Sequence, residues 1–297
     1  MEGEIIFAIR AYFVRSRPFF VKNGSRGCLE KKDAIPLRYL AKQRLRTFVI
    51  TDPTFYILAV IAVLIVGIAK SGFGGGLGVL AVPLMALVIP PLQAAAILLP
   101  VLCLMDLFNI WHYRKLWHKE NIQILLPAGL IGVLIGTFTF RYLSDAHIRI
   151  LIGIIAVAFV FNFFFKPATG KQAQPNKVSG SFWGVIAGFV SFGVHAGGPP
   201  ANVYLLPQRL DKSIFVGTMV VLFTTLNYVK LVPYALLDQI NLSNMSTSLV
   251  LAPLAPLGVW LGLRLHKVVD EKWFYPICYV LLFITGVKLL YDGVTTL

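Results

Sequence analysis

The chain has 297 residues, of which 57% are apolar and only 13% carry a charge. Its mean hydropathy is +0.77. A soluble globular domain is nearer a quarter charged, so the composition excludes that class and indicates a protein that crosses a membrane several times. The net charge of +14 does not predict nucleic-acid binding, because many lysines and arginines lie in short connections between apolar runs, where membrane insertion favours them. We therefore expect a lipid bilayer, and no nucleic acid, around the protein.

Residues 1–52 form a basic extension before the first long apolar run, with 11 Lys+Arg against 5 Asp+Glu. The stretch 5–21 is compatible both with an amphipathic segment on the membrane surface and with disorder. Arginines interrupt it and no small-residue cleavage site follows, so it does not read as a secretory signal peptide. The three cysteines are far apart in the sequence and predict neither a disulfide framework nor a metal site.

Ten apolar runs follow the extension, and we expect each to be helical. They cover residues 54–70, 76–90, 92–111, 122–140, 148–165, 180–195, 199–207, 213–236, 246–263 and 273–291. The longest polar connection lies near the middle of this series. It divides the chain into a first transmembrane repeat (53–165), a polar linker (166–179) and a second transmembrane repeat (180–297).

The two halves resemble each other in the order of their glycine-rich segments. "GGGLGVLAVP" (74–83) is followed about 124 residues later by "GGPPANVYLLP" (197–207), and "GVLIG" (132–136) is followed by "GVWLG" (258–262). The second run of each half is short and broken by Gly or Pro, which is typical of discontinuous helices or re-entrant hairpins. If the two short segments on either side of the break enter and leave the membrane on the same side, each half crosses the membrane an odd number of times. The sequence therefore predicts an all-α polytopic membrane protein built from two inverted-topology repeats of about five helical segments each.

Counts of lysine and arginine predict the orientation of the connections. With Pro53 outside, only Arg141 and Arg149 lie in outside connections. The inside connections then collect eleven basic residues: Arg114, Lys115, Lys119, Lys166, Lys171, Lys177, Arg209, Lys212, Arg264, Lys267 and Lys272. The extension would lie outside and argues the other way, but long tails obey the rule less strictly than short loops.

The first candidate site lies in "GIAKSGFGGGLG" (67–78), where Lys70 precedes the glycines Gly74, Gly75 and Gly76. Glycines permit the backbone amides to converge on a ligand, and a helix that begins after them directs its positive end towards an anion. Close helix packing through small residues explains the glycines equally well, but it does not explain the lysine.

The second candidate site is the counterpart break in the other half. His195 precedes Gly197 and Gly198, and two prolines then suit the first turn of a new helix; Asn202 and Tyr204 follow. A single histidine in an apolar run is usually a satisfied core residue, but irregular backbone at membrane depth is tolerated where protein buries it or a cavity hydrates it. We therefore expect this break to line a binding site.

Polar residues also recur in the third run of each half. Asp106, Asn109 and His112 share one helix face, and Asn227 and Lys230 occupy similar places in the other half. Ionisable groups inside a membrane tend to face a cavity or one another, although His112 and Lys230 could also reach the interface by snorkelling. Asn109 and Asn227 are candidate site-lining residues, while His195, Asp106 and Lys230 are candidates for proton coupling.

An intramembrane hydrolase built on Ser191 and His195 is the alternative in the enzyme class. The two residues share a helix face, but no G-x-S-x-G context surrounds the serine and no acidic residue is near in sequence. We therefore expect no enzyme, no cofactor and no metal site.

These motifs resemble those of the sulfite exporter TauE/SafE family of membrane permeases. The resemblance is carried by residues 70–109, 188–218, 227–237 and 251–271 and spans about 53–293, so the extension departs from it. It implies a carrier of small sulfur-containing anions, such as sulfite or organosulfonates, in a bacterial inner membrane and driven by the proton gradient. It also implies site roles for Lys70, the two glycine clusters, His195, Asn109 and Asn227.

Together these features predict a secondary transporter whose two glycine-rich breaks meet near the midplane of the membrane. Export is the direction that we expect. Alternating access would come from one half rocking against the other. A passive anion channel and a membrane scaffold without transport activity are the alternatives. The sequence leaves the anion, the direction and the oligomeric state open, and a homo-oligomer is compatible with it.

Overall fold

A computed structural model describes residues 50–73, 78–165, 173–268 and 271–297, which are helical and contain no strand. The extension up to residue 49, residues 74–77 with the glycines Gly74, Gly75 and Gly76, and the first half of the predicted linker (166–172) lie outside the described residues. Within the described residues, the first half contains five α-helices: α1 (Pro53–Gly72), α2 (Ala81–Ala86), α3 (Pro91–Tyr113), α4 (Lys119–Tyr142) and α5 (Asp145–Phe165). The described part of the second half contains six: α6 (Lys177–Val194), α7 (Gly198–Leu205), α8 (Lys212–Leu236), α9 (Leu242–Leu251), α10 (Leu254–Val268) and α11 (Glu271–Thr295).

Several of the long helices are apolar enough to span a bilayer. Among the described residues, α1, α3, α4, α6 and α8 meet this criterion individually, and α9 with α10 would form a sixth span bent by 44°. This confirms the prediction of an all-α polytopic membrane protein. The predicted run 246–263 differs from the structure because it is divided between α9 and α10, and Pro253, which has no backbone N–H, lies at the break.

Local sequence signals fix where several helices begin. Asp52, Asn176, Asp211 and Asn241 each stand immediately before a helix, and each side chain accepts a hydrogen bond from a backbone N–H two or three residues later. These contacts satisfy amide groups that the first turn of a helix leaves free. The observed helix starts therefore follow from polar caps in the connections between apolar runs.

The two halves are interleaved, because helices of one half pack mainly on helices of the other. α4 lies along α6, α10 lies along α1, α5 packs on α11, and α3 packs on α8. The equivalent elements of the two halves thus exchange partners reciprocally. Two related halves would produce this pattern.

Glycines make two of these contacts, between α1 and α10 and between α4 and α6, very close. A Cβ atom on Gly67 of α1 would lie 2.7 Å from the Cα atom of Gly258 in α10. A Cβ atom on Gly188 of α6 would lie only 1.9 Å from the carbonyl oxygen of Gly129 in α4. The backbones can approach this closely only because no side chain intervenes, as is common between membrane helices.

The connections gather at two opposite ends of the helices. At one end the loop after α3 meets the start of α8, where the His118 N–H donates to Thr218 Oγ1 (2.9 Å). At the other end the Arg149 side chain donates to the carbonyl groups of Ala86 and Ile89, close to the connection between α2 and α3. The first end carries basic residues of the predicted inside group and the second carries one of the two from the predicted outside group.

Candidate functional site

A small internal cavity lies where α1, α3, α6 and α8 meet between the two halves. The centre of a water molecule can occupy about 40 Å³ of it, which exceeds the roughly 10–15 Å³ needed for one water. Its polar lining comes from both halves: Lys70, Ser191, His195 and Asn227. The cavity therefore has room for a few waters or a small anion, and its walls provide hydrogen-bond donors.

Lys70 enters the site from the last turn of α1. Its Nζ lies 2.6 Å from Asp106 Oδ1, and the second carboxylate oxygen of Asp106 accepts a hydrogen bond from Asn227 Nδ2 (2.8 Å). Asp106 is fully buried, whereas Lys70 retains 8% of its exposure. A buried carboxylate needs such partners, because an unpaired charge away from water is costly. These side chains form a connected chain from the first half to the second.

Lys230 forms a second group of contacts at the end of α6. Its Nζ donates to the carbonyl oxygen of Ser191 (2.9 Å) and to the Ser191 hydroxyl (3.1 Å), and it lies 2.9 Å from His195 Nδ1. His195 Nε2 lies 2.8 Å from the carbonyl oxygen of Ala95. A carbonyl only accepts, so Nε2 carries the hydrogen of that bond and Nδ1 is left to accept from Lys230. His195 is neutral in this arrangement.

The balance of charge around the cavity suits an anion. With both amines protonated, Lys70 and Lys230 carry two positive charges and Asp106 carries one negative charge, so the group has one net positive charge. Ionisable groups within a membrane protein typically mark the pathway of a substrate or an ion. The arrangement can therefore bind a small anion, and it contains groups able to exchange a proton.

Helix starts reach the same cavity from both halves. Gly198, which begins α7, and Gly78, which begins the short 3₁₀ turn before α2, both line it. His195 itself adopts a left-handed conformation with φ of 53° as it ends α6. Helix N-termini attract anions, and here they lie beside an irregular backbone in the interior of the protein. Gly197 does not line the cavity and packs against Phe223 and the carbonyl group of Ala187.

The other predicted residues lie away from the cavity lining. Asn109 is completely buried, and neither its Oδ1 nor its Nδ2 has a hydrogen-bond partner. Asn202 is half-buried and its Oδ1 is likewise unpartnered. The Tyr204 hydroxyl instead accepts from the Asn176 N–H (3.2 Å), and His112 is exposed.

The contact between Ser191 and Lys230 was not predicted from the sequence. Ser191 was considered there only as a nucleophile, whereas Lys230 contacts both this serine and His195. The spacing of Ser191 and His195 on one helix face was the available signal. It predicted that they lie together, but nothing in the sequence indicated that a lysine would join them.

Comparison with known proteins gives one match. Residues 59–289 match the family model described as sulfite exporter TauE/SafE. No curated protein and no solved structure matches the chain.

Proposed function

Since the chain belongs to the sulfite exporter TauE/SafE family, a family of membrane transporters, we propose that it is a proton-coupled secondary transporter of sulfite or a related small sulfur-containing anion in a bacterial inner membrane. The observation that carries the proposal is the internal cavity to which Lys70, Ser191, His195 and Asn227 contribute from both halves. Its size and its donors suit a small oxyanion.

In this proposal the anion binds between Lys70 and the helix starts at Gly78 and Gly198. Lys70 donates from its ammonium group, Asn227 from its amide, and Ser191 from its hydroxyl. The amides of Gly74, Gly75 and Gly76 remain proposed ligands that act through the backbone, whereas Gly197 lies behind the cavity wall. Asp106 holds Lys70 in place while the site is empty.

Proton coupling follows from competition for the same cation. The anion and the Asp106 carboxylate both attract Lys70, so a proton on Asp106 frees Lys70 for the anion. A proton on His195 likewise adds positive charge next to the anion, and Lys230 contributes its charge for as long as it keeps its own proton. In each case the proton and the anion bind together and travel in the same direction. Export of doubly charged sulfite with one proton moves one net negative charge outward. It is therefore driven by the gradient of the anion and by an inside-negative membrane potential, and it works against any inward gradient of protons.

Alternating access requires a moving unit, and the packing favours one that contains helices from both halves. α1 is held to α10 and α4 to α6 through glycine contacts, so rocking of one whole half against the other would break both seams. Relative motion of the α1–α10 pair against the α4–α6 pair would preserve them. The reciprocal packing also supports the proposed inverted repeats, with the basic connections on the cytoplasmic side.

Radiolabelled sulfite flux in proteoliposomes tests the proposal, with and without an imposed pH gradient and over a range of sulfite concentrations. We expect saturable flux that increases when the compartment holding sulfite is made more acidic. Lys70→Met should weaken sulfite binding by roughly ten- to a hundredfold, because it removes a charge-assisted hydrogen bond. Lys288→Met, which removes a lysine paired with Asp292 on the surface, is the matched control. Flux that is linear in sulfite and indifferent to the gradient would indicate a channel, and no flux above that of empty liposomes would contradict sulfite transport.

A further inference from the structure

One hydrogen bond occurs in both halves with a constant spacing in sequence. The Tyr113 hydroxyl donates to the carbonyl oxygen of Ser71 (2.8 Å), and the Tyr234 hydroxyl donates to the carbonyl oxygen of Phe192 (2.5 Å). Both donors and both acceptors are 121 residues apart, as are the first residues of α3 and α8. This spacing aligns Asp106 with Asn227 and Asn109 with Lys230.

The aligned pair Asn109 and Lys230 differs in charge and in length. The Lys230 ammonium group reaches the last turn of α6, where it donates to the carbonyl oxygen of Ser191. The equivalent last turn of α1 contains Lys70 and Ser71. The amide of Asn109 is shorter and carries no charge, so the position aligned with Lys230 supplies no positive group at the end of α1, where Lys70 is already paired with Asp106.

Asn109 shares a face of α3 with two residues that contact this end of α1. It lies one helical turn from both Asp106, which pairs with Lys70, and Tyr113, which bonds to Ser71. Asn109 Oδ1, Asn109 Nδ2 and Ser71 Oγ have no hydrogen-bond partner, and both residues are completely buried. A buried polar atom without a partner is costly, and native proteins almost always provide one.

We infer that a monovalent cation of the sodium type binds here, between Asn109 and the C-terminal end of α1, in the position that the Lys230 ammonium group occupies in the other half. The amide oxygen of Asn109 and the hydroxyl of Ser71 are ligands that hard cations prefer. The C-terminal end of a helix carries partial negative charge, and such ends coordinate sodium in transporters with broken helices. This chemistry favours a cation over an anion.

A single positive charge suits the site better than two. Asp106 is the carboxylate on the neighbouring turn of α3, and it is paired with Lys70, whereas divalent cations that lose their water generally require several carboxylates. One monovalent ion would reproduce the charge that Lys230 provides in the second half. The inference concerns binding and does not depend on sulfite being the transported anion.

Equilibrium binding of radioactive sodium to the purified full-length protein in detergent tests the inference, with N-methylglucamine chloride holding the ionic strength constant. We expect saturable binding of about one sodium per chain, at least tenfold weaker binding in Asn109→Ala, and no binding in Asn109→Lys, whose ammonium group occupies the site. Thermal melting curves and size-exclusion chromatography show whether each variant folds. Asn202→Ala, which changes another asparagine with an unpartnered oxygen, should bind sodium like the wild type.

The melting temperature of the unmodified protein provides a second readout. Sodium should raise it by roughly 5 °C at a hundredfold excess over the dissociation constant, and N-methylglucamine should not. Asn109→Lys should melt at a temperature independent of sodium. Absence of saturable sodium binding by the wild type, or unchanged binding in folded Asn109→Ala, would overturn the inference. Because sulfite flux is not measured, failure here is distinguishable from failure of the proposed transport.

Discussion

Lys70 and Asp106 form a buried ion pair, with 2.6 Å between Nζ and Oδ1. The lysine lies in the last turn of α1 and the aspartate in the second half of α3, so the pair connects two helices at the wall of the cavity. Removing one partner of a buried pair leaves the other charge uncompensated, whereas removing both does not. This asymmetry allows stability and function to be separated by mutation.

We predict that Asp106→Asn destabilises the protein by about 3–5 kcal/mol, because Lys70 is then left as an uncompensated buried charge. The double variant Lys70→Met/Asp106→Asn should recover most of that stability and still lack sulfite flux. Melting temperatures in detergent, combined with flux in proteoliposomes, provide the measurement. If the double variant is no more stable than Asp106→Asn, the uncompensated charge of Lys70 does not account for the loss of stability.

Lys230→Met should separate proton coupling from folding. The substitution removes the donor to the Ser191 hydroxyl and to His195 but fills the same buried space with an apolar side chain. We expect a folded protein in which sulfite flux no longer responds to the pH gradient. Flux measured across a series of gradients, with Lys288→Met as the control, tests this. A variant with the full gradient response would exclude Lys230 from the coupling.

Gly188→Ala should destabilise the protein by about 1–3 kcal/mol, the usual cost of overpacking. The new methyl group would lie 1.9 Å from the carbonyl oxygen of Gly129, and backbone must move to accommodate it. Gly78→Ala is the control for stability, since a Cβ atom there meets nothing within 4 Å. Thermal melting of both variants gives the comparison, and equal melting temperatures would contradict the seam between α4 and α6.

Single cysteines introduced into a cysteine-free background should report the proposed topology. Lys115→Cys and Arg209→Cys should both be protected from a membrane-impermeant maleimide added outside intact cells, and Ser144→Cys and Gln239→Cys should be labelled. The first two belong to the basic connections and the other two to the opposite end of the molecule. Labelling of Lys115→Cys from outside would show that the orientation is the reverse of the one proposed. Within each pair, Lys115→Cys with Arg209→Cys and Ser144→Cys with Gln239→Cys, different labelling of the two members would contradict the inverted repeats.

The elements of the fold could be read largely from the sequence, because apolar length and polar caps determine where these helices lie. The prediction that Lys70, His195 and Asn227 line a site remains a prediction, but the structure brings all three to one cavity. The reason is that charged and amide groups in an apolar run are costly in contact with lipid, so they usually face a cavity or one another.

The register between the halves could not be read from the sequence. Matching the glycine segments gives offsets of about 124 and 126 residues, and matching Asn109 to Asn227 gives 118, because loops of different length intervene. The two tyrosine hydrogen bonds instead give 121 and align Asn109 with Lys230. Ser191 was missed for a related reason: its contact with Lys230 joins helices that are far apart in the chain, and spacing along one helix does not report such contacts.

The seam between α1 and α10 also has a consequence for biosynthesis. α1 ends at Gly72 and α10 begins at Leu254, so about 180 residues leave the ribosome before α1 meets its partner. At ordinary rates of translation this takes roughly 10 to 35 seconds. Throughout that interval the glycine face of α1 is without its partner, so the earliest of the described membrane helices to be synthesised is among the last to be fully packed.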